Sequence, residues 1–358
     1  MHPPRSIWIM LALWLSAAGA ASAQWVTDPV NAPGVEFRTF HSRSAGATVS
    51  YHIYLPPQYH DEPCRRFPVL YWLHGAGGGV DGIPPLSSFF GDAIVNGTFP
   101  PMLVVFPNGM NYSMWSDSAD GAVPMESVVI NDLVPEVDGA FRTFASRRGR
   151  IIEGFSMGGY GAARLGFEHH ERFAGVSILG AGPMQLDFLD PPPGAQFPLA
   201  LRLQIYAQVW DSDPQRFLAQ SPWMIAERNA APIVQAGTTV RLAVGQLDPM
   251  VPPNLDFRTR ISDLGIQHEF RYPPGIGHQP MLLLLALSAS NQSFYRSVFD
   301  ALRSPTADLN ADGVVDADDF FLFLQLFATG DPIADINTDG VIDAEDFFDY
   351  LKLYAGGC

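Results

Sequence analysis

Nine residues constrain this chain more than any others. The run Ile151-Ile152-Glu153-Gly154-Phe155-Ser156-Met157-Gly158-Gly159 joins an apolar stretch to a small-residue helix start through the pattern G-x-S-x-G. A strand that turns into a helix within one residue leaves no room for bulky neighbours. Gly154 and Gly158 therefore flank a strained serine whose hydroxyl points outward. The pattern alone is modest, so its surroundings decide what it means.

Those surroundings alternate. Short runs at Tyr51–Leu55, Val69–Leu73, Leu103–Phe106, Ile151–Phe155, Val176–Leu179, Arg241–Val244 and Glu269–Tyr272 are rich in Val, Ile, Leu, Phe and Tyr, without strict polar alternation. That is the composition of strands covered on both faces. Helical candidates such as Met125–Phe144, Gly158–Phe167 and Leu255–Leu264 separate them. The alternation predicts an α/β fold with a mostly parallel central sheet and helices on both sides. The segment Gly182–Trp223 fits poorly. It holds the Pro191-Pro192-Pro193-Gly194 breaker and the aromatics Phe188, Phe197, Tyr206, Trp210 and Trp223. It reads either as an insertion that holds a substrate or as ordinary core aromatics.

A serine in such a corner needs a base and a group to orient that base. Arg241–Asp248 is a strand that ends in an acid, at the sheet edge where such folds place their chemistry. Phe270–His278 is a further strand that leads to a glycine-flanked histidine on a loop. The order Ser156, Asp248, His278 suits a nucleophile, an orienting acid and a base. Asp256 would fall inside the next helix, and Asp211 and Asp213 lie in the irregular segment. Upstream, Val69–Leu73 runs into His74-Gly75-Ala76-Gly77-Gly78-Gly79. A tetrahedral oxyanion needs two backbone N–H donors, expected from Met157 and from this loop at Ala76. A phosphate-cradling role fails for want of a Walker Lys-Ser/Thr ending or a G-x-G-x-x-G spacing.

After Arg303 the chain changes character. The stretch DLNADGVVDADD at 308–319 recurs 27 positions later as DINTDGVIDAED, and a matching helix follows each copy. Positions 1, 3, 5, 9 and 12 supply side-chain oxygens at Asp308, Asn310, Asp312, Asp316 and Asp319. The second copy supplies Asp335, Asn337, Asp339, Asp343 and Asp346. Val314 and Val341 would ligate through their carbonyls, and Gly313 and Gly340 permit the sharp turn. Carboxylates packed this way repel one another until a divalent cation neutralises them, so calcium is the expected structural ion. No metal is expected at the serine centre.

The charge is unevenly placed. From Thr306 onward twelve Asp and Glu face one Lys, a net of −11 that leaves about −6 for residues 24–305. Such asymmetry predicts two modules, with residues 24–303 and 304–358 as the division. The overall −16 argues against nucleic acid as a partner. Residues 1–23 have a secretory signal layout: Arg5, the apolar Ile7–Ala18, and Ala21-Ser22-Ala23 as a cleavage site. The expectation is a secreted, extracellular or periplasmic chain with no transmembrane segment once mature. Cys64 and Cys358 are too few for a disulfide framework.

LHGAGGG, NGMNYSMWSD, EGFSMGGYGA, GQLDP and GIGH, in this order and at these spacings, resemble the esterase D / feruloyl esterase group of α/β hydrolases over residues 35–303. The resemblance implies Ser156, Asp248 and His278 as triad, Ala76 and Met157 as oxyanion donors, and a nearby loop holding Asn108, Gly109 and Trp115. His74, Gly75 and Trp115 are the candidate substrate-binding residues. The tail at Thr306–Tyr354 is similar to a type I dockerin, which implies a small all-α calcium module and a cohesin or cell-surface partner. It departs from that pattern at Ala317-Asp318 and Ala344-Glu345. Together these imply an ester substrate on a plant-type polysaccharide, of the feruloyl or acetyl xylan kind. An acyltransferase, an S-formylglutathione-hydrolase-like thioesterase and a non-catalytic calcium-dependent scaffold are the alternatives.

Overall fold

The computed structural model describes residues 24–195, 197–300, 302, 306–310 and 314–356. The expected signal segment, Cys358, and Asp312 and Gly313 of the first acidic loop lie outside them. Eight strands form one sheet: β1 (Val35–Ser42), β2 (Ala47–Tyr54), β3 (Val69–Leu73), β4 (Leu103–Pro107), β5 (Arg150–Phe155), β6 (Gly175–Leu179), β7 (Thr239–Ala243) and β8 (His268–Arg271). Their order is β1-β2-β4-β3-β5-β6-β7-β8. From β4 to β8 all pairings are parallel, while β1 and β2 are antiparallel to each other and β2 to β4.

Every residue of β3, β4, β5 and β6 is buried, which is why their sequences read as continuous apolar runs. Alternate residues serve two cores. Tyr71 and Leu73 point into one, and Leu70 and Trp72 into the other. β1 escapes sequence detection because it is an edge strand, VEFRTFHS, with polar side chains and only one fully buried residue.

Among the described residues the longer helices that flank the sheet include α1 (Ile83–Val95), α2 (Met157–Glu168), α3 (Leu199–Trp210), α4 (Pro222–Gln235), α5 (Val251–Asp263), α6 (Pro280–Ala286) and α7 (Ser288–Phe299). Helices α2 to α5 cover one face through residues such as Tyr160, Ile205, Ile225 and Phe257. Helices α1, α6 and α7 cover the other through Phe90, Leu283 and Phe294. The helix expected over Met125–Phe144 ends at Ala140 and is wound as a π-helix over Val128–Leu133. Pro135, which lacks the N–H for a regular turn, follows that widened stretch.

The segment from Gly182 to Trp223 connects β6 to α4 and is more regular than its prolines suggest, since it contains α3 and a short helix at Pro214–Ala219. Phe188, Tyr206, Trp210 and Phe217 form a buried aromatic cluster there, with Phe188 and Trp210 centroids 5.0 Å apart. Beyond it stand α8 (Ala317–Thr329) and α9 (Ala344–Gly356), whose own small core stacks Phe323 on Tyr350 at 3.9 Å. Ser146 Oγ donates to the Thr338 carbonyl at 3.3 Å, a contact between the sheet-bearing part and the second acidic loop. No helix among the described residues is long and apolar enough to cross a membrane.

Candidate active site

Ser156 stands between β5 and α2 with φ 59° and ψ −119°, a region that non-glycine residues rarely occupy. The backbone is forced there by close packing. A Cβ at position 154 would lie 2.3 Å from the Gly158 carbonyl oxygen, and one at 159 would lie 2.6 Å from that of Leu179. The Ser156 N–H donates to the Leu179 carbonyl of β6 at 3.0 Å, which pins the corner to the neighbouring strand.

Two further loops meet this corner. His278, on the loop after β8, places Nε2 2.8 Å from Ser156 Oγ and Nδ1 2.8 Å from Asp248 Oδ2. Asp248 follows β7, and its side chain is fully buried. Its Oδ1 accepts the Met250 N–H at 2.8 Å, which fixes the carboxylate plane. A carboxylate only accepts, so the imidazole proton sits on Nδ1 and Nε2 faces the serine hydroxyl as acceptor. The loops carrying the acid and the imidazole are laced together: Leu247 N–H donates to the Ile276 carbonyl at 2.8 Å. This approach needs Gly245, where a Cβ would stand 2.3 Å from the Ile276 oxygen. Phe155 packs against the imidazole with ring centroids 4.6 Å apart. Asp211, Asp213 and Asp256 are all solvent-exposed and take no part.

Ala76 and Met157 both line the cleft beside Ser156. Met157 is the first residue of α2, where an N–H has no intrahelical acceptor. Gly75 backs Ser156, since a Cβ there would lie 3.3 Å from the serine Cβ.

None of His74, Gly75 and Trp115 lines the cleft, which corrects their expected role as substrate contacts. His74 and Trp115 are buried, and their polar atoms are committed to backbone. His74 Nδ1–H donates to the Gly75 carbonyl at 2.7 Å, and Nε2 accepts the Gly109 N–H at 3.0 Å. Burial depresses the His74 imidazole to about 4, against a weaker upward pull from its bond to Gly75. Trp115 donates its indole N–H to the His74 carbonyl at 3.3 Å, and Arg164 of α2 holds the Trp115 carbonyl at 3.1 Å. Glu126 completes this chain by pairing with Arg164 and His169. Burial raises its carboxyl, but the His169 hydrogen bond and the Arg164 charge outweigh this and hold it at about 2. Asn108 and Gly109 belong to the same support, with Asn108 Nδ2 donating to the Gln24 carbonyl at 2.9 Å. These residues hold the Gly75–Ala76 loop in place from behind. The inward turn of His74 and Trp115 could not be read from sequence.

The cleft has a volume of about 810 Å³. Its walls are mainly apolar, with Phe188, Pro191–Pro193, Phe197, Ile205 and Met250 opposite Ser156 and His278. The sequence had marked the proline run as a breaker in a segment that either holds a substrate or packs as core; Phe188 and Phe197 of its aromatics line the cleft, as do Arg202 and Gln279, which the sequence reading had not singled out. Among the described residues no three His, Cys, Asp or Glu side chains are gathered into a metal cage. Such an array can move a proton from the serine hydroxyl to the imidazole while a carbonyl carbon is attacked.

Residues 42–274 match the family model described as "Putative esterase". The chain belongs to this esterase family. Esterase Rv1288 of Mycobacterium tuberculosis is 28% identical over 285 residues, covering 75% of this chain and 61% of that protein. The chain therefore spans less than two thirds of the length of the curated relatives it matches first. An endo-1,4-beta-xylanase/feruloyl esterase of Xylanibacter ruminicola is 27% identical over 176 residues, covering 47% of this chain and 24% of that one. Among solved structures, a ferulic acid esterase superposes with a TM-score of 0.59 at 22% identity, covering 73% of this chain and 97% of that one. That likeness shows an α/β-hydrolase-like fold, a central sheet flanked by helices.

Proposed function

We propose that this esterase is a secreted serine carboxylic-ester hydrolase that works through an acyl-enzyme. The observation that carries the reading is the unbroken chain Asp248 Oδ2–His278–Ser156 Oγ, each step 2.8 Å, opening into the cleft. As Ser156 Oγ attacks the ester carbonyl, His278 Nε2 takes the hydroxyl proton, and buried Asp248 holds the imidazole and stabilises its positive charge. The N–H groups of Ala76 and Met157 face the developing oxyanion, each worth about 3–4 kcal/mol in such sites. His278 then gives the proton to the departing alcohol, and water repeats the sequence to release the acid. Hydrolysis of 4-nitrophenyl acetate tests this directly: wild-type protein turns over and Ser156→Ala does not. Equal inertness of both would end the enzyme reading.

The substrate proposed is an ester on a plant-type polysaccharide, feruloyl or acetyl. The apolar, aromatic-walled cleft suits a cinnamoyl group, and the Xylanibacter relative's name pairs xylanase with feruloyl esterase. Residues 1–23 as a signal peptide would bring the enzyme to such a polymer. Turnover of methyl ferulate against acetylated xylan separates the two acyl groups.

We also propose that the tail is a dockerin-like module that holds calcium. In the second loop Gly340 has φ 92° and Asp335 Oδ2 accepts the Gly340 N–H at 2.9 Å, the turn such a loop requires. Asp335 Oδ1 is buried with no hydrogen-bond partner, and an unpartnered buried carboxylate oxygen is what a cation would satisfy. Asp335, Asn337, Asp339, Asp343, Asp346 and the Val341 carbonyl would hold the ion. Calcium would neutralise the loop's like charges, and a cohesin or cell-surface partner would then read the ordered helix pair.

A further inference from the structure

Arg202, on α3, is the one formally charged side chain among the described residues that line the cleft. Its Nε–H donates to the Phe197 carbonyl at 3.1 Å, and Nη1 donates to the Leu189 carbonyl. These two carbonyls bracket the Pro191-Pro192-Pro193-Gly194 turn, so the guanidinium staples both ends of the loop that forms one cleft wall. A guanidinium has five N–H donors in a rigid fork, and the staple leaves donors on both Nη1 and Nη2 unused. Arg202 is half-buried and forms no ion pair among the described residues, beside Phe188, Phe197 and Ile205. A chain with a net charge of −16 has carboxylates to spare, yet none among the described residues pairs with this cation. A cation held against an apolar wall without a counter-ion is costly to keep. A carboxylate supplied by the ligand would repay that cost, because a charge-assisted fork in a partly dry site is stronger than one in water.

We propose that Arg202 forms an anion subsite of the esterase cleft, so that the preferred ester carries a carboxylate on its acid or its alcohol part. The proposal rests on the serine-esterase reading above and adds a substrate class to it.

The test compares matched esters with wild-type protein, Arg202→Gln and Arg202→Lys. For the acid side the pair is the 4-nitrophenyl half-ester of adipic acid and 4-nitrophenyl hexanoate. For the alcohol side it is 4-acetoxybenzoate and its methyl ester. The expected result is that wild type favours the anionic member of one pair by about tenfold or more in kcat/KM. That ratio falls to near one in Arg202→Gln, is partly kept in Arg202→Lys, and shrinks as salt is added. Whichever pair shows the effect assigns the carboxylate to that side of the ester. Collapse of the proline loop alone would lower both members of a pair together and leave their ratio intact. No preference in wild type, or a preference that persists in Arg202→Gln, overturns the subsite. In either case the esterase reading stands, provided the neutral esters are hydrolysed by wild type and not by Ser156→Ala. Inertness of wild type toward all four esters overturns both.

Discussion

Gly158 lies so close to Leu73 that a Cβ at position 158 would stand 1.8 Å from the Leu73 carbonyl oxygen. The first turn of α2 thus rides directly on the end of β3, the strand that leads into the Gly75–Ala76 loop. This one contact brings the serine corner and the expected oxyanion loop to the same place.

The overlap makes a definite prediction. Gly158→Ala forces the two backbones apart, at a cost of at least about 3 kcal/mol, since backbone atoms have no rotamer to escape into. Urea denaturation should show that loss, together with a fall in kcat against 4-nitrophenyl acetate. Wild-type stability and turnover in this variant would mean the corner is looser than the packing implies.

His74 should give the protein an acid-sensitive support. Its imidazole is held neutral in the fold, with a pKa of about 4 against an ordinary 6.5. The folded-state value is the lower one, so the unfolded chain binds the extra proton first. Stability is then full above pH 6.5 and declines as pH falls toward 4, by up to about 3 kcal/mol. Protonation also takes away the lone pair that accepts the Gly109 N–H. Denaturant midpoints measured across this window should fall for wild type and fall less steeply for His74→Asn.

Asp248→Asn separates orientation from packing. The buried side chain keeps its shape, but an amide can present its N–H to His278 and select the wrong tautomer. A drop of roughly 10³–10⁴-fold in kcat is expected, with a nearly unchanged melting temperature. A change of less than tenfold would remove Asp248 from the mechanism.

Beneath the corner, Arg241 and Glu153 form a fully buried ion pair at 2.6 Å that joins β7 to β5, with Tyr295 Oη donating to Glu153 at 2.9 Å. Arg241→Met leaves Glu153 buried without its cation and should cost about 3–5 kcal/mol. Glu153→Leu combined with Arg241→Met should recover much of that loss. A double variant no more stable than Arg241→Met would show that the pair's geometry itself is required.

Chelation should divide the molecule. Beyond the expected signal segment the tryptophans are Trp25, Trp72, Trp115, Trp210 and Trp223, so their fluorescence reports on the sheet-bearing part, while far-UV circular dichroism also sees α8 and α9. EDTA is expected to remove helical signal and leave both tryptophan emission and ester hydrolysis in place. Simultaneous loss of hydrolysis would show that the Ser146–Thr338 contact couples the two parts.

Seven of the eight strands were legible in the sequence as short apolar runs; for β3 to β6 burial on both faces is the cause, while β8, with no buried residue, shows through Phe270. β1 was not, because an edge strand alternates and borrows its order from β2. Ser156, Asp248 and His278 could be singled out from glycine spacing and strand ends, since a sharp corner and a closely packed loop demand particular backbone chemistry. Local sequence also carried the repeated acidic loops. What only the tertiary structure decided is which side chains face the cleft. His74 and Trp115 stand beside the expected site in sequence, yet their rings turn inward to backbone atoms. Arg202 comes from a distant helix and reaches the wall through two loop carbonyls. Sequence specifies the period and the turns of each element, but which face of a loop meets solvent depends on what packs behind it. That is set by contacts between residues far apart in the chain.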